Sequence, residues 1–435
     1  MGSGTASTAA TGGDLEHQRT ILDHGLRVVS TFLPNALSAS ISIFIGAGSR
    51  YEEERLAGVS HFIEHMLFKG TQKRPTPKEI SEAIEGVGGV LNAATDKELT
   101  VYWCKVPVQH FELAMDVLSD NLLHSRLDLS DVEREREVII EELNMVYDSP
   151  ADLANLMIDE VVWPDQPLGR DTGGTRESVS QITRDDMVAY MGEHYAPTGA
   201  VVAVAGRVTP QQVEEASHRF LGEWQPTSTK PWFPAVDGME GPRVSLKSKR
   251  TEQANLCIAV DGLSSEHPDR YAQDVLNTIL GEGMSSRLFL ELRERLGLAY
   301  DIHSYVNHYR DTGSQVVFAA VDPRKANETI GAILAELAKL RDGIPEDELN
   351  RAKESMKGRL LLRMEDTRAV SSWTGAQDLL RNTIMTVEEV VSLIDAVTSE
   401  DLRRVANQIF VTKKLKLAIV GPYRSEGRFA NLLTL

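Results

Sequence analysis

Five consecutive residues, His61-Phe62-Ile63-Glu64-His65, carry the most legible chemistry in this chain. On an α-helix, side chains three and four positions apart share a face, so both imidazoles and the carboxylate project together. Two imidazoles so placed form a zinc-binding pair, and a neighbouring carboxylate that stays off the metal can take a proton from water. The order His-x-x-Glu-His inverts the commoner His-Glu-x-x-His arrangement. A competing reading is an amphipathic helix with apolar Phe62, Ile63, Met66 and Leu67 inward and the polar residues solvated. Two further motifs favour the zinc reading, because they fall where a metallopeptidase needs them.

A tetrahedral catalytic zinc takes three protein ligands and keeps one open position, so a third donor must come from elsewhere. Residues 130–147 read as a helix dense in acid: Glu133, Glu135, Glu137, Glu141 and Glu142. Most of these charges suit a solvated helix on which Arg134 and Arg136 make ordinary surface pairs. Glu135 and Glu142 differ, because they lie seven apart on one stripe beside the apolar Val138, Ile139 and Leu143. Carboxylates on such a seam are rarely buried unless paired or metal-bound. Composition and spacing leave Glu141 and Glu142 equally open as the third ligand.

Around these residues the chain predicts strands at 27–33 and 39–46, then the motif helix, ended by Gly70. Thr76-Pro77-Lys78-Glu79 opens the next helix as a capping box with proline at its first position. A strand pair is expected at 89–95 and 99–106. Helices are expected over 111–122, 130–147 and 152–162, another from Thr183, a strand at 200–205 and a helix at 209–221. Residues 225–242 carry four prolines and two glycines and read as a boundary. Beyond it the order restarts. Thr183 leads through a helix and Tyr195 to a strand ending at Gly206, and Thr398 leads through a helix and Phe410 to one ending at Gly421, an offset of 215 residues. This predicts an α+β fold of two homologous domains, each a mainly antiparallel, half-barrel-like sheet packed on helices. The expected division is a leader at 1–14, a zinc-binding domain at 15–225, a linker at 226–242 and a second domain at 243–435. No histidine lies between Pro268 and Ile302, so the second half does not repeat the zinc helix.

The formal net charge of −18 argues against nucleic acid or an anionic membrane as partner. No apolar run approaches the length of a membrane span, and the Gly/Ser/Thr/Ala-rich start does not read as a signal peptide. Cys104 and Cys257, the only cysteines, lie in strand-like apolar runs and read as buried free thiols, which points to the cytoplasm.

Taken together, four stretches resemble the pitrilysin-type zinc metallopeptidases, in the branch of the mitochondrial processing peptidase β subunit and its bacterial relatives. They are Gly58-Val-Ser-His-Phe-Ile-Glu-His-Met-Leu-Phe-Lys-Gly-Thr71, Gly89-Val-Leu-Asn-Ala-Ala-Thr95, Glu135-Arg-Glu-Val-Ile-Ile-Glu-Glu-Leu143, and Gly283-Met-Ser-Ser-Arg-Leu-Phe289 continuing to Tyr300. The resemblance implies one zinc ion per chain held by His61, His65 and Glu142, with 76 residues between the last two. It further implies Glu64 as general base, Glu135 as a supporting acid behind the ligands, and Arg293 with Tyr300 as donors to substrate carbonyls and the oxyanion. Gly89, Asn92 and Ala93 would bind an extended peptide along an edge strand. A peptide or unfolded polypeptide is the implied substrate, and two chains closing as a clamshell the implied assembly, here a homodimer. The family also contains non-catalytic structural and partner subunits, which typically lose a ligand or the base. One departure is Asp165-Gln-Pro-Leu-Gly169 followed by Gly173-Gly174, where other members often carry an apolar residue before the second glycine. It is expected to affect a loop and leave the zinc site unchanged.

Overall fold

The computed structural model describes residues 16–236, 241 and 243–435, so the expected leader and part of the expected linker lie outside the described residues. Each half of the chain builds one sheet. The first half runs β1 (His17–Ile21), β2 (Arg27–Phe32), β3 (Ser38–Ile45), α1 (Val59–Met66), α2 (Pro77–Glu85), β4 (Val90–Thr95), β5 (Thr100–Pro107), α3 (Phe111–His124), α4 (Leu129–Asp148), α5 (Pro150–Val162), α6 (Arg176–Gln181), α7 (Arg184–His194), β6 (Ala200–Gly206) and α8 (Pro210–Leu221). The second runs β7 (Arg243–Ser248), β8 (Ala254–Asp261), α9 (Arg270–Gly281), β9 (Ala299–His308), β10 (Gly313–Val321), α10 (Ala326–Asp342), α11 (Glu346–Arg363), α12 (Thr367–Arg381), α13 (Val387–Ala396), α14 (Ser399–Ile409), β11 (Lys416–Gly421) and α15 (Gly427–Ala430).

The first sheet has the order β1-β2-β6-β3-β5-β4 and the second β7-β11-β8-β10-β9. Setting β1 aside, the two orders match strand for strand, and each contains one parallel pair, β2–β6 and β7–β11. The α+β duplication is therefore real. Its local signature holds as well: Thr183 caps α7 with Asp186, and Thr398 caps α14 with Asp401, each as a reciprocal box. The Thr76–Glu79 box also forms at α2, satisfying two end donors for about 1 kcal/mol. β6 and β11 are buried at every residue, as central strands with both faces covered must be.

How those faces are covered is what the sequence pattern did not predict: the halves exchange one helix each. Leu153, Ala154, Met157 and Ile158 of α5 pack on Cys257, Val316, Phe318 and Val420 of the second sheet. In return α12 lies on the first sheet, where a Cβ on Gly375 would come within 2.3 Å of the Phe44 ring. The serines that alternate along β3 face this helix, Ser40 pairing with Thr367 at 2.9 Å and Ser42 with Ser371 at 3.0 Å. Both cysteines are buried free thiols, and burial pushes the Cys104 thiol up to about 12. Arg50, fully buried, also ties the halves together. Its guanidinium donates to Glu98 at 2.6 Å, to Asp311 of the β9–β10 turn at 2.5 and 2.7 Å, and to the Phe233 carbonyl at 2.9 Å.

Candidate metal centre

Helix α1 is short, two turns, and is held at its start by a buried carboxylate. Glu52 accepts the Gly58 N–H at 2.7 Å and the Ser60 N–H at 2.8 Å, satisfying donors that a helix N-terminus leaves orphaned. Burial raises the Glu52 carboxyl above its usual range, and these two donors pull it back. Val59, Phe62, Ile63 and Met66 are fully buried in the first core, about 1.5–3 kcal/mol for each large side chain. Gly58 has a left-handed φ of +92°, and a Cβ there would meet the Gly173 carbonyl at 2.3 Å. The Gly173-Gly174 departure lies in a loop, as expected, and that loop borders the site: a Cβ on Gly173 would lie 3.6 Å from His61 Nδ1.

The apolar face of α1 being fixed, its polar face is fixed too, and α4 crosses it. His61 Nε2 and His65 Nε2 face each other at 3.2 Å. Glu142 Oε2 stands 3.8 Å from the first and 3.5 Å from the second. A tetrahedral zinc with bonds of roughly 2.0–2.1 Å requires donors about 3.3–3.4 Å apart; the 3.2 and 3.5 Å separations lie close to that, and the 3.8 Å one between His61 and Glu142 is longer. The donor chemistry fits too. Burial, reinforced by His65, lowers His61 to about 4, so its ring is neutral at pH 7 and two imidazole lone pairs converge beside a carboxylate. Among the described residues this is the one group of three such side chains with the spacing of a metal site. Glu141, one position away, turns outward and accepts from Asn144 at 3.4 Å.

Behind the donors, His65 Nδ1 lies 3.1 Å from Glu135 Oε2, where the carboxylate accepts from the ring N–H and fixes the ring's orientation. Glu135, buried, is itself paired through Oε1 with Lys69 Nζ at 2.8 Å. Arg136 makes the expected pair with exposed Glu133 at 3.1 Å, and its largely buried guanidinium also lies over the Phe62 ring at 5.5 Å and donates to the Val179 carbonyl.

Glu64, on the same helix as the two histidines and close enough to feel the charge of His65 and Glu142, reaches β4. Thr95 Oγ1, at the end of that strand, donates to Glu64 Oε2 at 2.5 Å. Burial raises the Glu64 carboxyl, while the Thr95 hydroxyl and nearby His65 act in the opposite sense. Thr95, Lys69 and Glu52 are the site residues that sequence reasoning missed. Thr95 and Lys69 lie inside quoted motif stretches, but nothing in their spacing announces the partner. β4 is an edge strand, paired only with β5, and Asn92 and Ala93 lie on it. Gly89 precedes it, buried where a Cβ would strike Ile84 and Val106 at 2.7 Å.

Arg293 and Tyr300 lie together on the second half. Arg293 is in a π-helical segment, Phe289–Arg295, and its guanidinium sits 5.7 Å from the Tyr300 ring. Tyr300 is the second residue of β9, the edge strand that corresponds to β4, and is 74% exposed. Among the described residues no hydrogen bond or ion pair joins this pair to His61, Glu64, His65 or Glu142.

Fold and site thus define a protein of two like-folded α+β halves, one of them carrying three side chains that could hold a metal ion. Residues 27–176 match the profile described as insulinase (peptidase family M16), and residues 181–356 that of the peptidase M16 inactive domain. An uncharacterized zinc protease of Bacillus subtilis (strain 168), YmxG, is 35% identical over 412 residues, covering 93% of this chain and 98% of the relative. One from Mycobacterium leprae (strain TN) is 38% identical over 416 residues, 94% of this chain and 92% of that one. A protease from Helicobacter pylori has the same fold, with a TM-score of 0.89 at 24% identity, over 94% of this chain and all of its own. The chain belongs to peptidase family M16.

Proposed function

We propose that the chain is a zinc-dependent endopeptidase that cuts peptides or unfolded polypeptide segments. The observation that carries this is the convergence of His61, His65 and Glu142 with Glu64 held beside them. Zinc, when bound, supplies Lewis-acid polarisation of water and of the scissile carbonyl. Glu64 takes the proton from the attacking water at a carboxylate oxygen and passes it to the leaving amine. Its raised proton affinity suits both steps, because a base that ionises only far below working pH returns protons poorly. β4 presents unpaired backbone groups to an extended substrate, and Gly89, Asn92 and Ala93 position it by strand addition. Arg293 and Tyr300 donate to substrate carbonyls and to the developing oxyanion.

With the Arg–Tyr pair on the second half and the metal centre on the first, the working assembly in this reading is a homodimer closed as a clamshell, each zinc domain facing the partner's Arg–Tyr domain. The domains are 15–225 and 243–435. The buried thiols favour a cytoplasmic setting, and no described helix is long and apolar enough to cross a membrane. A purely structural subunit is disfavoured because ligand set and base are both complete. The test is hydrolysis of an unstructured peptide with and without a chelator. Wild type should cut only with zinc, and Glu64→Gln should keep its zinc but lose activity by about 10²–10⁴-fold. Turnover unaffected by chelation, or a fully active Glu64→Gln, rejects the reading.

A further inference from the structure

His65 has an acid behind it, Glu135, but His61 has none in direct contact. Its Nδ1 is buried without a hydrogen-bond partner among protein atoms. Metal-binding histidines almost always donate their second ring N–H, because that bond fixes the tautomer and strengthens the ligand. Across the Gly173 backbone lies a group with the complementary need. Asp171 Oδ1 accepts the Gly173 N–H at 2.9 Å, while its Oδ2 is buried and equally unpartnered. The point a Cβ on Gly173 would occupy is 3.6 Å from His61 Nδ1 and 3.5 Å from Asp171 Oδ1. Those distances put the ring nitrogen and Asp171 Oδ1 no more than roughly 7 Å apart, and one water making two ordinary hydrogen bonds joins them at separations up to about 6 Å. A side chain at 173 would fill that space, so its absence keeps ring and carboxylate in communication.

We propose that Asp171 is the positioning acid of His61: its carboxylate holds the ring through one water lodged against Gly173, so that Nδ1–H is the donor and Nε2 stays free for metal. Each of the two histidine ligands then has its own carboxylate, Glu135 directly and Asp171 through water. This rests on the metal-centre reading above.

Zinc affinity by chelator competition tests it, with His61→Ala as reference. In Asp171→Asn the amide oxygen can still accept from Gly173, so mainly the second oxygen changes. Its affinity should fall about 10- to 100-fold. Gly173→Ala, which fills the gap from the other side, should weaken zinc in the same direction. In the metal-free protein, ¹⁵N ring shifts should show His61 as the Nδ1–H tautomer in wild type and as a mixture in Asp171→Asn, a change that loose packing alone would not produce. If Asp171→Asn binds zinc within about threefold of wild type, or its His61 tautomer is unchanged, Asp171 has no such role. If wild type takes up no zinc, or His61→Ala binds it as well as wild type, the metal-centre reading falls and this inference with it.

Discussion

Glu64 and Thr95 form the pair in which sequence and structure contribute most unequally. The two histidines and Glu64 were legible because helical spacing alone places them on one face. Glu142 was legible only by resemblance, since helix periodicity does not choose between adjacent acids; where α4 meets α1, it is Glu142 that stands within 4 Å of both imidazoles. Thr95 was not legible at all, because its bond to Glu64 spans 31 residues and depends on where β4 ends. That bond has a measurable consequence. The hydroxyl holds the Glu64 carboxyl down against burial, which raises it. Removing it in Thr95→Val raises the carboxyl further. The base works ionised, so the acid limb of the kcat/KM profile should move to higher pH, with activity near neutrality reduced and zinc content unchanged. A limb that stays in place, or shifts to lower pH, contradicts this account of Thr95.

Among the elements, those placed by local signals formed as expected. Capping boxes at Thr76, Thr183 and Thr398 start helices, and strands 2, 6, 3, 5 and 4 recur as 7, 11, 8, 10 and 9. The exchange of α5 and α12 had no local signal. An apolar helix face is the same in sequence whether it meets its own sheet or its neighbour's. The consequence is that neither half is complete alone. Separated from the second sheet, α5 exposes Leu153, Ala154, Met157 and Ile158, at about 1.5–3 kcal/mol for each large side chain. The first sheet likewise loses α12 from Phe44 and Ala203. Residues 15–225 expressed alone should therefore be aggregation-prone or melt well below the whole chain in calorimetry, and co-expression with 243–435 should restore the fold. A first half that melts as the intact chain does would mean the exchanged helices contribute little.

At the scale of the whole molecule, the candidate metal centre lies on one half and the Arg293–Tyr300 pair on the other, each beside a corresponding edge strand. The duplication was visible in sequence because its 215-residue offset keeps threonine, helix, strand and glycine in step. The buried Arg50 junction was not, because its acids come from turns far apart in sequence. If the centre of one chain works with the Arg–Tyr pair of its partner, Glu64→Gln and Tyr300→Phe chains should complement. Co-refolded in equal amounts, half the dimers are mixed and each has one intact site, so activity should reach about a quarter of wild type. Mixtures that never exceed the parents place the whole site within one chain.

The central claim is that one metal ion is held by His61, His65 and Glu142. Anomalous diffraction at the zinc absorption edge, on crystals grown with zinc, tests it most directly. A metal held by these three residues gives a single strong peak per chain, bonded to both Nε2 atoms and to the Glu142 carboxylate, with Glu64 unbonded beside it. A peak elsewhere, or imidazoles turned apart around no metal density, would contradict it.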